Sequence, residues 1–396
     1  MDALTTPLPK DWEAVKVEDI FEIITDFSAA GSFAQQSQMV QYTNDRTNYA
    51  QLIRTTELKN GFNNTNAIYI NKEAFEFLWR VNLNSDAIIL PNIGINCGEI
   101  YYVDIKKLIH KHNALAPNAI LLRTKKANLK FLFYAFLDTW FQKQLINIIT
   151  SSAQPKFTKT DLRDLLIPLP PLNEQIAIAN ILSALDRYLC ALDALILKKE
   201  SVKKALSFEL LSQRKRLKGF NQAWQRVRLG DIANYLISNL SAEQITQQGK
   251  IKVYDVNNFI GYTDTTFISD KPYISIVKDG SVGRVRILPP KTNILSTMGA
   301  LIANHRTTTE FLFYLLSNFD FKNFISGSII PYIYFKDYKE KTIFLPPLNE
   351  QNAIVNILSA LDNEITSLKN KKRQFENIKK ALNHDLMSAK IRVLKK

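Results

Sequence analysis

The chain has 396 residues, of which 46% are hydrophobic and 11% aromatic, so it can build folded cores and is not a disordered protein. Its length predicts two or more domains, because single domains usually span roughly 100–200 residues. Lysine and arginine number 51 against 37 acidic residues, and the net charge of +14 favours an anionic partner, nucleic acid before a membrane surface.

Neither a disulfide framework nor a secreted or membrane protein is indicated. The two cysteines, Cys97 and Cys190, are not clustered, which favours reduced thiols in a cytoplasmic protein. Residues 1–7 lack the charged and apolar regions of a secretory signal. The most apolar stretch, residues 176–197, contains three charged residues and is therefore not predicted to cross a membrane.

The first half begins with a short strand that is predicted to lead into a helix. Apolar and charged side chains alternate along residues 11–20 up to Asp19, which is predicted to be the helix N-cap. Trp12 is interpreted as a core anchor, with base stacking as the alternative. Further along, the Asn60-Gly61 pair is typical of a β-hairpin turn.

A mixed α/β domain is predicted for the rest of the first half. Its elements in chain order are a buried strand (87–90), a glycine-bearing loop (91–98), two strands (100–105 and 119–123), a helix (129–149), a Gln-Pro-Lys-Phe segment (154–157) and a closing strand (165–169).

A Leu-Pro-Pro-Leu-Asn-Glu-Gln sequence then opens a long helical pattern, and it occurs twice at an offset of 176 residues. Residues 169–186 and 345–362 are identical at 16 of 18 aligned positions. A period this long indicates a duplicated pair of domains rather than a solenoid, whose repeats span about 20–50 residues. Asn173 is predicted to cap the first helix, with Glu174 in its first turn.

Each long helix carries a coiled-coil seam, because apolar residues recur about every 3.5 positions. Lys199 and Lys203 interrupt the first seam, and Val202 is predicted to replace them. The helix-pair packing residues predicted from the two patterns are Leu182, Leu185, Leu189, Leu192, Ile196, Leu206, Leu210, Leu358, Leu361, Ile365, Leu368, Phe375, Leu382 and Leu386. The two helices are expected to pair antiparallel within the chain. Their basic residues form either a solvated face or a contact with DNA phosphate or an acidic protein.

The second half repeats the first in fewer residues, since the offset falls from 212 at Trp224 to 176 at Pro347. The matching segments are Trp12 and Trp224, 54–59 and 252–259, 87–98 and 273–287, 131–134 and 311–314, and 154–157 and 330–333. The loops between these segments differ. This combination predicts two similar modules with different binding surfaces.

Common catalytic motifs are absent from the sequence, including the phosphate-binding P-loop, GxGxxG, HExxH and CxxC. Glu57-Leu58-Lys59 matches a fragment found in some nucleases, but no Pro-Asp partner stands nearby. His110 and His112 are interpreted as surface residues. The loop 279–284 is either a tight β-turn or a turn whose glycines let the backbone approach a DNA phosphate.

These features together resemble the specificity subunits of type I DNA restriction–modification systems. The resemblance covers essentially the whole chain. It rests on the repeated Pro-Pro-Leu-Asn-Glu-Gln helix, on the segment from Trp224 to Ile232, and on the Lys-Asp-Gly-Ser-Val-Gly loop at 278–283. The first half departs from the family pattern at Val17-Glu18-Asp19 and at Pro91-Asn92-Ile93-Gly94.

The resemblance implies an α+β fold in which two mixed α/β target-recognition domains are separated by two long antiparallel coiled-coil helices with a pseudo-two-fold internal repeat. The expected segments are a first target-recognition domain (1–166), a first spacer helix (167–220), a second target-recognition domain (221–342) and a second spacer helix (343–396).

The implied function is that of a non-catalytic, sequence-specific DNA-binding subunit that reads a bipartite, asymmetric site. Two methyltransferase subunits and motor-nuclease subunits are the implied protein partners. S-adenosylmethionine, ATP and magnesium are expected on those partners and no cofactor or metal on this chain. The assembled complex would be an adenine-N6 DNA methyltransferase and an ATP-dependent endonuclease.

Loop residues are the candidates for DNA contact, because Lys and Arg bind phosphates and Arg, Lys, Asn and Gln read base edges. The candidates are Arg54, Lys59, Asn63, Asn64, Asn92, Asn96, Lys252, Asn257, Asn258, Lys278, Ser281, Arg284 and Tyr332. Two alternatives remain from the residues alone. One is a stand-alone nuclease that uses Glu57, and the other is a coiled-coil adaptor that does not bind DNA.

Overall fold

The computed structural model describes residues 8–62, 64–150 and 153–393. It divides into two compact units, which we call the first unit (residues 1–191 and 372–396) and the second unit (residues 192–371). The four segments expected from the sequence separate the recognition domains from the spacer helices, whereas each compact unit combines a globular part with parts of the long helices. The boundaries of the four segments stay a prediction.

The described residues of the first unit form three β-sheets. Its strands are β1 (Glu13–Lys16), β2 (Ile23–Asp26), β3 (Ala50–Ile53), β4 (Ile68–Ile70), β5 (Ala87–Pro91), β6 (Tyr101–Val103), β7 (Asn113–Leu115), β8 (Ala119–Arg123) and β9 (Leu166–Leu169). Strand β1 pairs antiparallel with β9, four antiparallel strands follow the order β2-β8-β5-β6, and a third sheet has the order β4-β3-β7 with β3 parallel to β7.

The second unit repeats these three sheets strand for strand. Its strands are β10 (Gln225–Arg228), β11 (Ala233–Ile237), β12 (Ile251–Tyr254), β13 (Phe259–Thr263), β14 (Tyr273–Val277), β15 (Val285–Leu288), β16 (Asn293–Ile294), β17 (Met298–Ala303) and β18 (Thr342–Leu345). The orders are β10-β18, β11-β17-β14-β15 and β13-β12-β16, with β12 parallel to β16. The predicted duplication is confirmed. Because β12 is the counterpart of β3, the predicted match of residues 252–259 with 54–59 is out of register.

The helices differ more between the units than the strands do. They are α1 (Val17–Ile20), α2 (Phe33–Met39), α3 (Thr55–Asn60), α4 (Lys72–Phe77), α5 (Leu129–Phe136), α6 (Thr139–Ile148), α7 (Lys159–Arg163), α8 (Leu172–Leu211), α9 (Thr309–Ser317), α10 (Phe335–Tyr338) and α11 (Leu348–Met387). Helices α5, α7 and α8 correspond to α9, α10 and α11. In the second unit, short loops or 3-10 turns stand where the first unit has α2, α3, α4 and α6.

Each unit has its own apolar core. In the first unit, strands β5 and β8 are buried along almost their whole length, and α5 covers them with Phe131, Leu132 and Phe136. The second unit buries the corresponding strand β14 under Phe311 and Leu312 of α9. The repeated Phe-Leu-Phe-Tyr sequence therefore supplies three buried core residues to one helix in each unit, while its third residue is only partly buried.

Two turn predictions in the first half are wrong. Asn60-Gly61 does not form a hairpin, because α3 ends there and Gly61, with φ of 90°, donates its N–H to the Glu57 carbonyl at 3.0 Å. The predicted helix 129–149 is two helices. Asp138 starts the second by accepting the Trp140 N–H at 3.0 Å.

Both predicted helix caps are also displaced. Helix α1 begins at Val17, after Lys16, so Asp19 lies inside the helix. Helix α8 begins at Leu172 rather than after Asn173, because the carbonyl of Pro171 accepts the N–H groups of Glu174 and Gln175. Proline is well suited to this position since it has no N–H of its own to satisfy.

The glutamate of the repeated motif holds the tryptophan that precedes the first strand to the long helix in each unit. In the first unit, the Glu174 carboxylate accepts the Trp12 indole N–H at 3.2 Å and two hydrogen bonds from Arg392 at 2.7 and 2.8 Å. In the second unit, Glu350 accepts the Trp224 indole N–H at 3.0 Å and two bonds from Arg216. Both tryptophans are buried, which confirms that they are core anchors.

The glutamine of the motif fixes the start of the core helix. The Gln175 side chain accepts the Asn128 N–H at 2.9 Å and donates to the Pro170 carbonyl at 2.7 Å. Gln351 accepts the Thr308 N–H at 3.1 Å and donates to the Pro346 carbonyl at 2.9 Å. Asn128 and Thr308 are the N-caps of α5 and α9. The motif is therefore repeated because the same polar groups must be satisfied in each unit.

An aspartate in each long helix binds the core helix and the other long helix. Asp186 of α8 accepts the Tyr134 hydroxyl at 2.6 Å and pairs with Lys379 of α11. Asp362 of α11 accepts the Tyr314 hydroxyl at 2.8 Å and pairs with Lys203 of α8. Burial, together with the hydrogen bond to the aspartate, raises the pKa of both tyrosines well above its ordinary value.

Within each unit the long helices run antiparallel, as predicted. In the second unit, Lys199 pairs with Glu364 and Lys203 with Asp362, so the partner's number falls as the residue number rises. In the first unit, the same holds for Asp186 with Lys379 and for Tyr188 with Phe375, whose ring centroids are 4.7 Å apart. This order of contacts requires the two helices to run antiparallel.

The apolar seam is well buried along its length. The predicted packing residues that are buried are Leu182, Leu192, Ile196, Leu210, Leu358, Ile365 and Leu386, and those that are half-buried are Leu185, Leu189, Leu206, Leu361, Leu368, Phe375 and Leu382. Val202 does not replace the lysines, since it is 45% exposed. Lys199 and Lys203 keep their seam positions because each has an acidic partner on α11. None of the helices in the part of the chain that the structure describes is long and apolar enough to span a membrane.

Replacing Glu350 by alanine should lower the free energy of unfolding by roughly 2–4 kcal/mol, because Arg216 and the Trp224 indole would lose a shared, buried partner. Equilibrium urea unfolding measures the change. Glu340→Ala is the matched control, because Glu340 pairs with Arg228 between two exposed side chains and should contribute less than about 1 kcal/mol. Equal losses in the two variants would contradict the role given to Glu350.

Candidate nucleic-acid interface

A glycine loop follows the central buried strand in each unit. Loop 91–98 lies between β5 and β6, and loop 278–284 lies between β14 and β15. In the first, Gly94 has φ of 92° and donates its N–H to the Pro155 carbonyl at 2.9 Å. In the second, Gly280 has φ of 83° and donates to the Pro331 carbonyl at 2.8 Å. The two loops are thus held in the same way despite the unusual Pro-Asn-Ile-Gly sequence of the first, and glycine suits this backbone.

Two predicted residues meet at the loop of the first unit. The Lys59 ammonium lies 3.0 Å from the Asn96 side-chain oxygen and 2.8 Å from a Glu99 carboxylate oxygen. Burial opposes ionisation of Glu99, but hydrogen bonds from Lys59 and Tyr101 hold the pKa of that carboxyl below its ordinary value. The Lys59 charge is therefore largely neutralised by Glu99, while Asn96 and the exposed Ile95 stand at the loop tip.

Three other predicted residues of the first unit have structural partners. The Arg54 guanidinium forms two hydrogen bonds with the fully buried Glu57, at 2.9 and 2.6 Å. Asn64 accepts the Asn66 N–H, and its amide lies 3.4 Å from Glu57. Asn92 is buried and donates to the Phe157 carbonyl at 3.0 Å. These contacts account for Arg54, Asn64 and Asn92 as parts of the scaffold. Asn63 lies outside the described residues.

Two arginines converge on one turn in the second unit. Arg284 donates to the Asn257 side-chain oxygen at 3.3 Å, and Arg286 donates to the Asn257 carbonyl at 2.9 Å. Arg286 also lies over the Tyr254 ring, 5.3 Å from its centroid. Across the described residues, neither guanidinium forms an ion pair with a carboxylate, although the Asp255 carboxylate belongs to the same turn and accepts the N–H groups of Asn257 and Asn258. Such a pair can bind a phosphate or a guanine edge.

Arg286 is not among the residues predicted from the sequence to contact DNA. It stands two residues after Arg284, and both flank the start of β15, so the period of two along a strand places them on one face. That spacing could have been read from the sequence. The partner turn at Asn257 could not, because it comes from a different hairpin.

The remaining candidates of the second unit lie on β12, in the turn at Asn257, in the loop 278–284 and in the segment 326–334. Lys252 on β12, Asn258 and Ser281 are exposed. The Lys278 carbonyl accepts the Ile333 N–H at 2.8 Å, and its ammonium lies 3.9 Å from Asp279. Tyr332 forms backbone bonds with Ser326, and its ring lies 5.1 Å from that of Tyr334. The loop 278–284 and the segment 326–334 therefore form one continuous surface.

The groups that suggested enzymatic chemistry have ordinary structural roles. Glu57 of the Glu-Leu-Lys fragment is fully buried and ion-paired with Arg54. His112 stacks on Tyr49 at 4.4 Å, and His110 Nδ1 lies 2.9 Å from the His112 carbonyl oxygen. Both histidines are half-buried rather than surface residues as predicted. The described residues contain no group of three or more His, Cys, Asp or Glu that could hold a metal ion.

Comparison with known proteins identifies the duplicated scaffold. Residues 9–200 and 221–377 match the model of the type I restriction modification DNA specificity domain. The chain belongs to this family. It is accordingly a DNA-binding specificity subunit of a type I restriction–modification system, and the two matched segments coincide with the two repeats.

Relatives along nearly the full length support this membership. The chain is 29% identical to a putative type I restriction enzyme MjaX specificity subunit of Methanocaldococcus jannaschii, covering 98% of this chain and 95% of that protein. It is 24% identical to the MjaVIII specificity subunit of the same organism, covering 98% and 94%. The crystal structure of a type I restriction–modification S subunit from M. genitalium has the same fold, with a TM-score of 0.60 and 19% identity over 97% of this chain and 98% of that one.

Removal of the Arg284 charge should weaken DNA binding by this specificity subunit and flatten its salt dependence. Each lost phosphate contact lowers the slope of log K against log salt by about 0.9. The slope is measured for Arg284→Ala with the chain bound to its methyltransferase subunits. Arg228→Ala is the control, since Arg228 is exposed but already ion-paired with Glu340.

Lys278→Ala should change the slope less, because the Lys278 ammonium is near Asp279. Unchanged slopes for both Arg284→Ala and Lys278→Ala would exclude them as phosphate contacts.

Proposed function

We propose that this specificity subunit reads a bipartite, asymmetric DNA site, with one half-site contacted by the loop surface of each unit. The supporting observation is that equivalent positions on one scaffold carry unlike side chains. In each unit, a loop glycine donates its N–H to a proline carbonyl. Ile93 and Ile95 flank this glycine in the first unit, whereas Asp279 and Ser281 flank it in the second. Base edges differ in their pattern of donors, acceptors and methyl groups, so unlike surfaces select unlike sequences.

In the second unit, the arginine pair is the proposed centre of recognition. A guanidinium forms bidentate hydrogen bonds with guanine O6 and N7, which is the commonest specific contact in the major groove. Arg284 is exposed, while Arg286 is fixed by Asn257 and Tyr254. A fixed arginine loses less conformational entropy on binding, so Arg286 is suited to a base and Arg284 to a base or an adjacent phosphate.

The first unit offers a different chemistry at its loop. Asn96 and the 97%-exposed Ile95 stand at the tip, and the nearby Lys59 is paired with Glu99. An asparagine amide can bind adenine, and an apolar side chain can contact a thymine methyl group. The two half-sites are thus proposed to differ in composition, with guanine favoured by the second unit and A·T pairs by the first.

The long helices are the proposed spacer and docking surface. Large apolar side chains are exposed on α8 away from the seam, including Leu197 at 64% and Phe208 at 51%. Exposed apolar side chains are typical of protein-interaction sites. Two methyltransferase subunits and the motor-nuclease subunits are the proposed partners. The helix pair would then set the number of unread bases between the half-sites.

Catalysis is assigned to the partners in this proposal. S-adenosylmethionine, ATP and magnesium would bind to them, and the assembled complex would methylate adenine at N6 and cleave DNA in an ATP-dependent reaction. The chain itself would act in the cytoplasm as the sequence-reading subunit. A stand-alone nuclease is disfavoured because the carboxylate it requires, Glu57, is buried against Arg54. A DNA-independent adaptor would have no use for Arg284 and Arg286, which converge on one turn without an ion pair.

Hydroxyl-radical footprinting of the chain bound to its methyltransferase subunits tests the bipartite reading. The expected pattern is two separated protected segments with an unprotected or weakly protected spacer between them. Arg284→Ala should weaken protection in one segment only, because the arginine belongs to one unit. A single contiguous footprint, or equal weakening of both segments, would contradict the proposal.

A further inference from the structure

The most exposed apolar side chains mark corresponding places in the two units. Among the residues that the structure describes, Ile95 and Ile329 have the largest exposed fractions of any large apolar side chain, 97% and 93%. Ile95 belongs to the glycine loop 91–98 of the first unit. Ile329 and the 63%-exposed Ile330 precede Pro331, whose carbonyl accepts a hydrogen bond from the glycine loop of the second unit. Isoleucine is therefore exposed on the glycine loop in one unit and on the proline segment in the other.

Backbone contacts hold the isoleucine tip, which we define as Ile329 and Ile330, in one shape. Ser326 and Tyr332 exchange two backbone hydrogen bonds, at 2.9 and 2.8 Å, which close the loop between them. Gly327 has φ of 88°, and a Cβ at this position would collide with the Ile330 carbonyl oxygen, so the loop requires glycine there. A loop closed in this way loses little conformational entropy when its tip binds a partner.

The tip belongs to a segment that runs beside the arginine-bearing hairpin. Val277 donates its N–H to the Arg284 carbonyl at 2.9 Å, and the carbonyl of the next residue, Lys278, accepts the Ile333 N–H at 2.8 Å. Three backbone segments are thus hydrogen-bonded in a row. Neighbouring strands lie about 4.8 Å apart, so the two outer segments are about 10 Å apart. The major groove of DNA is about 12 Å wide, so one groove can accept both.

The charge around the tip favours DNA as its partner. Residues 321–336 contain two lysines and no acidic residue. The acidic residue of the adjoining loop 278–284, Asp279, lies 3.9 Å from the Lys278 ammonium. An exposed tip with cationic flanks is suited to a polyanion. Its backbone hydrogen bonds also make it continuous with the loop surface of this DNA-binding subunit.

We propose that the isoleucine tip is a specificity-determining element that contacts the 5-methyl group of a thymine in the half-site read by the second unit. The proposal rests on the proposed function, because it takes loop 278–284 to face the major groove. Thymine carries its methyl group in that groove, where an apolar side chain can contact it. A separation of about 10 Å corresponds to about three base-pair steps, so the thymine should lie within about four base pairs of the guanine assigned to the arginines.

Replacement of single thymines by deoxyuridine tests this contact, because uracil pairs as thymine does and lacks the methyl group. The chain bound to its methyltransferase subunits first selects its motif from a randomised duplex library. Duplexes with this motif are then titrated with the same complex, after replacement of each thymine in the half-site whose protection Arg284→Ala weakens. At one position, deoxyuridine should weaken binding roughly 3- to 10-fold, which is the loss expected for one buried methyl group.

The double variant Ile329→Ala, Ile330→Ala decides whether the tip makes the contact. Both side chains are exposed, so the variant is expected to fold. It should bind the thymine and deoxyuridine duplexes equally, with the affinity that the unaltered chain has for the deoxyuridine duplex. A loss of folding would weaken binding to both duplexes and keep their ratio, so it cannot produce this result.

Phe344→Ala is the matched control. Phe344 is 48% exposed on β18, which pairs with β10 in a different sheet from β14 and β15. This variant should keep the full difference between the thymine and deoxyuridine duplexes.

Four results would overturn this inference or its foundation. If no thymine of that half-site is sensitive to loss of its methyl group, the tip does not read thymine, although a two-part motif would still support the proposed function. If the double variant keeps the difference between the duplexes, another residue makes the contact. If the double variant loses methyltransferase subunits in size-exclusion chromatography, the tip contacts a protein and the inference is wrong. If the unaltered chain selects no two-part motif, the proposed function fails with it.

Discussion

The hydrogen bonds of one glutamate in each unit, Glu174 and Glu350, hold together parts of the chain that are far apart in sequence. Each carboxylate binds the indole of the residue before the first strand of its unit and an arginine that follows the end of a long helix. A buried carboxylate is costly unless it is paired and hydrogen-bonded, so the tryptophan and the arginine are required wherever the glutamate is kept. Trp12 and Trp224, and Arg392 and Arg216, recur for this reason.

The same constraint explains what can vary. The strands, the core helix and the long helix are tied to the motif through its glutamate and glutamine, whereas the segments between strands are not. The first unit places helices α2, α3 and α4 in these segments, and the second unit places short turns there. A fixed scaffold with free connections allows the two units to present different surfaces, as expected for a protein that reads two unlike sequences.

The sequence was sufficient for the scaffold because the repeat could be aligned with itself. Trp12, the Phe-Leu-Phe-Tyr helices, the glycine loops and the antiparallel pairing were all predicted from residues that occur twice. Local signals were less reliable where tertiary contacts decided the outcome. Asn60-Gly61 ends a helix instead of forming a hairpin, because Arg54 and Glu57 stabilise α3.

The candidate site was only partly predictable for the same reason. Polar loop residues could be found in the sequence, but their partners could not. Asn92 is buried by its bond to Phe157, and Arg54 is held by Glu57, whereas Asn257 gathers Arg284 and Arg286 from another hairpin. The lysines of the seam were predicted to be replaced by Val202, but acidic residues on the opposite helix retain them.

If one duplicated scaffold carries two different DNA-reading surfaces, the methylation pattern across a genome should show both of them. Cells that express the chain with its methyltransferase subunits are compared with cells that express the methyltransferase alone. The methylated sites are expected to share one motif of two unlike parts separated by a constant number of unread bases, and these sites should disappear without the chain. Sites that persist without the chain, or that share a single uninterrupted motif, would contradict that arrangement.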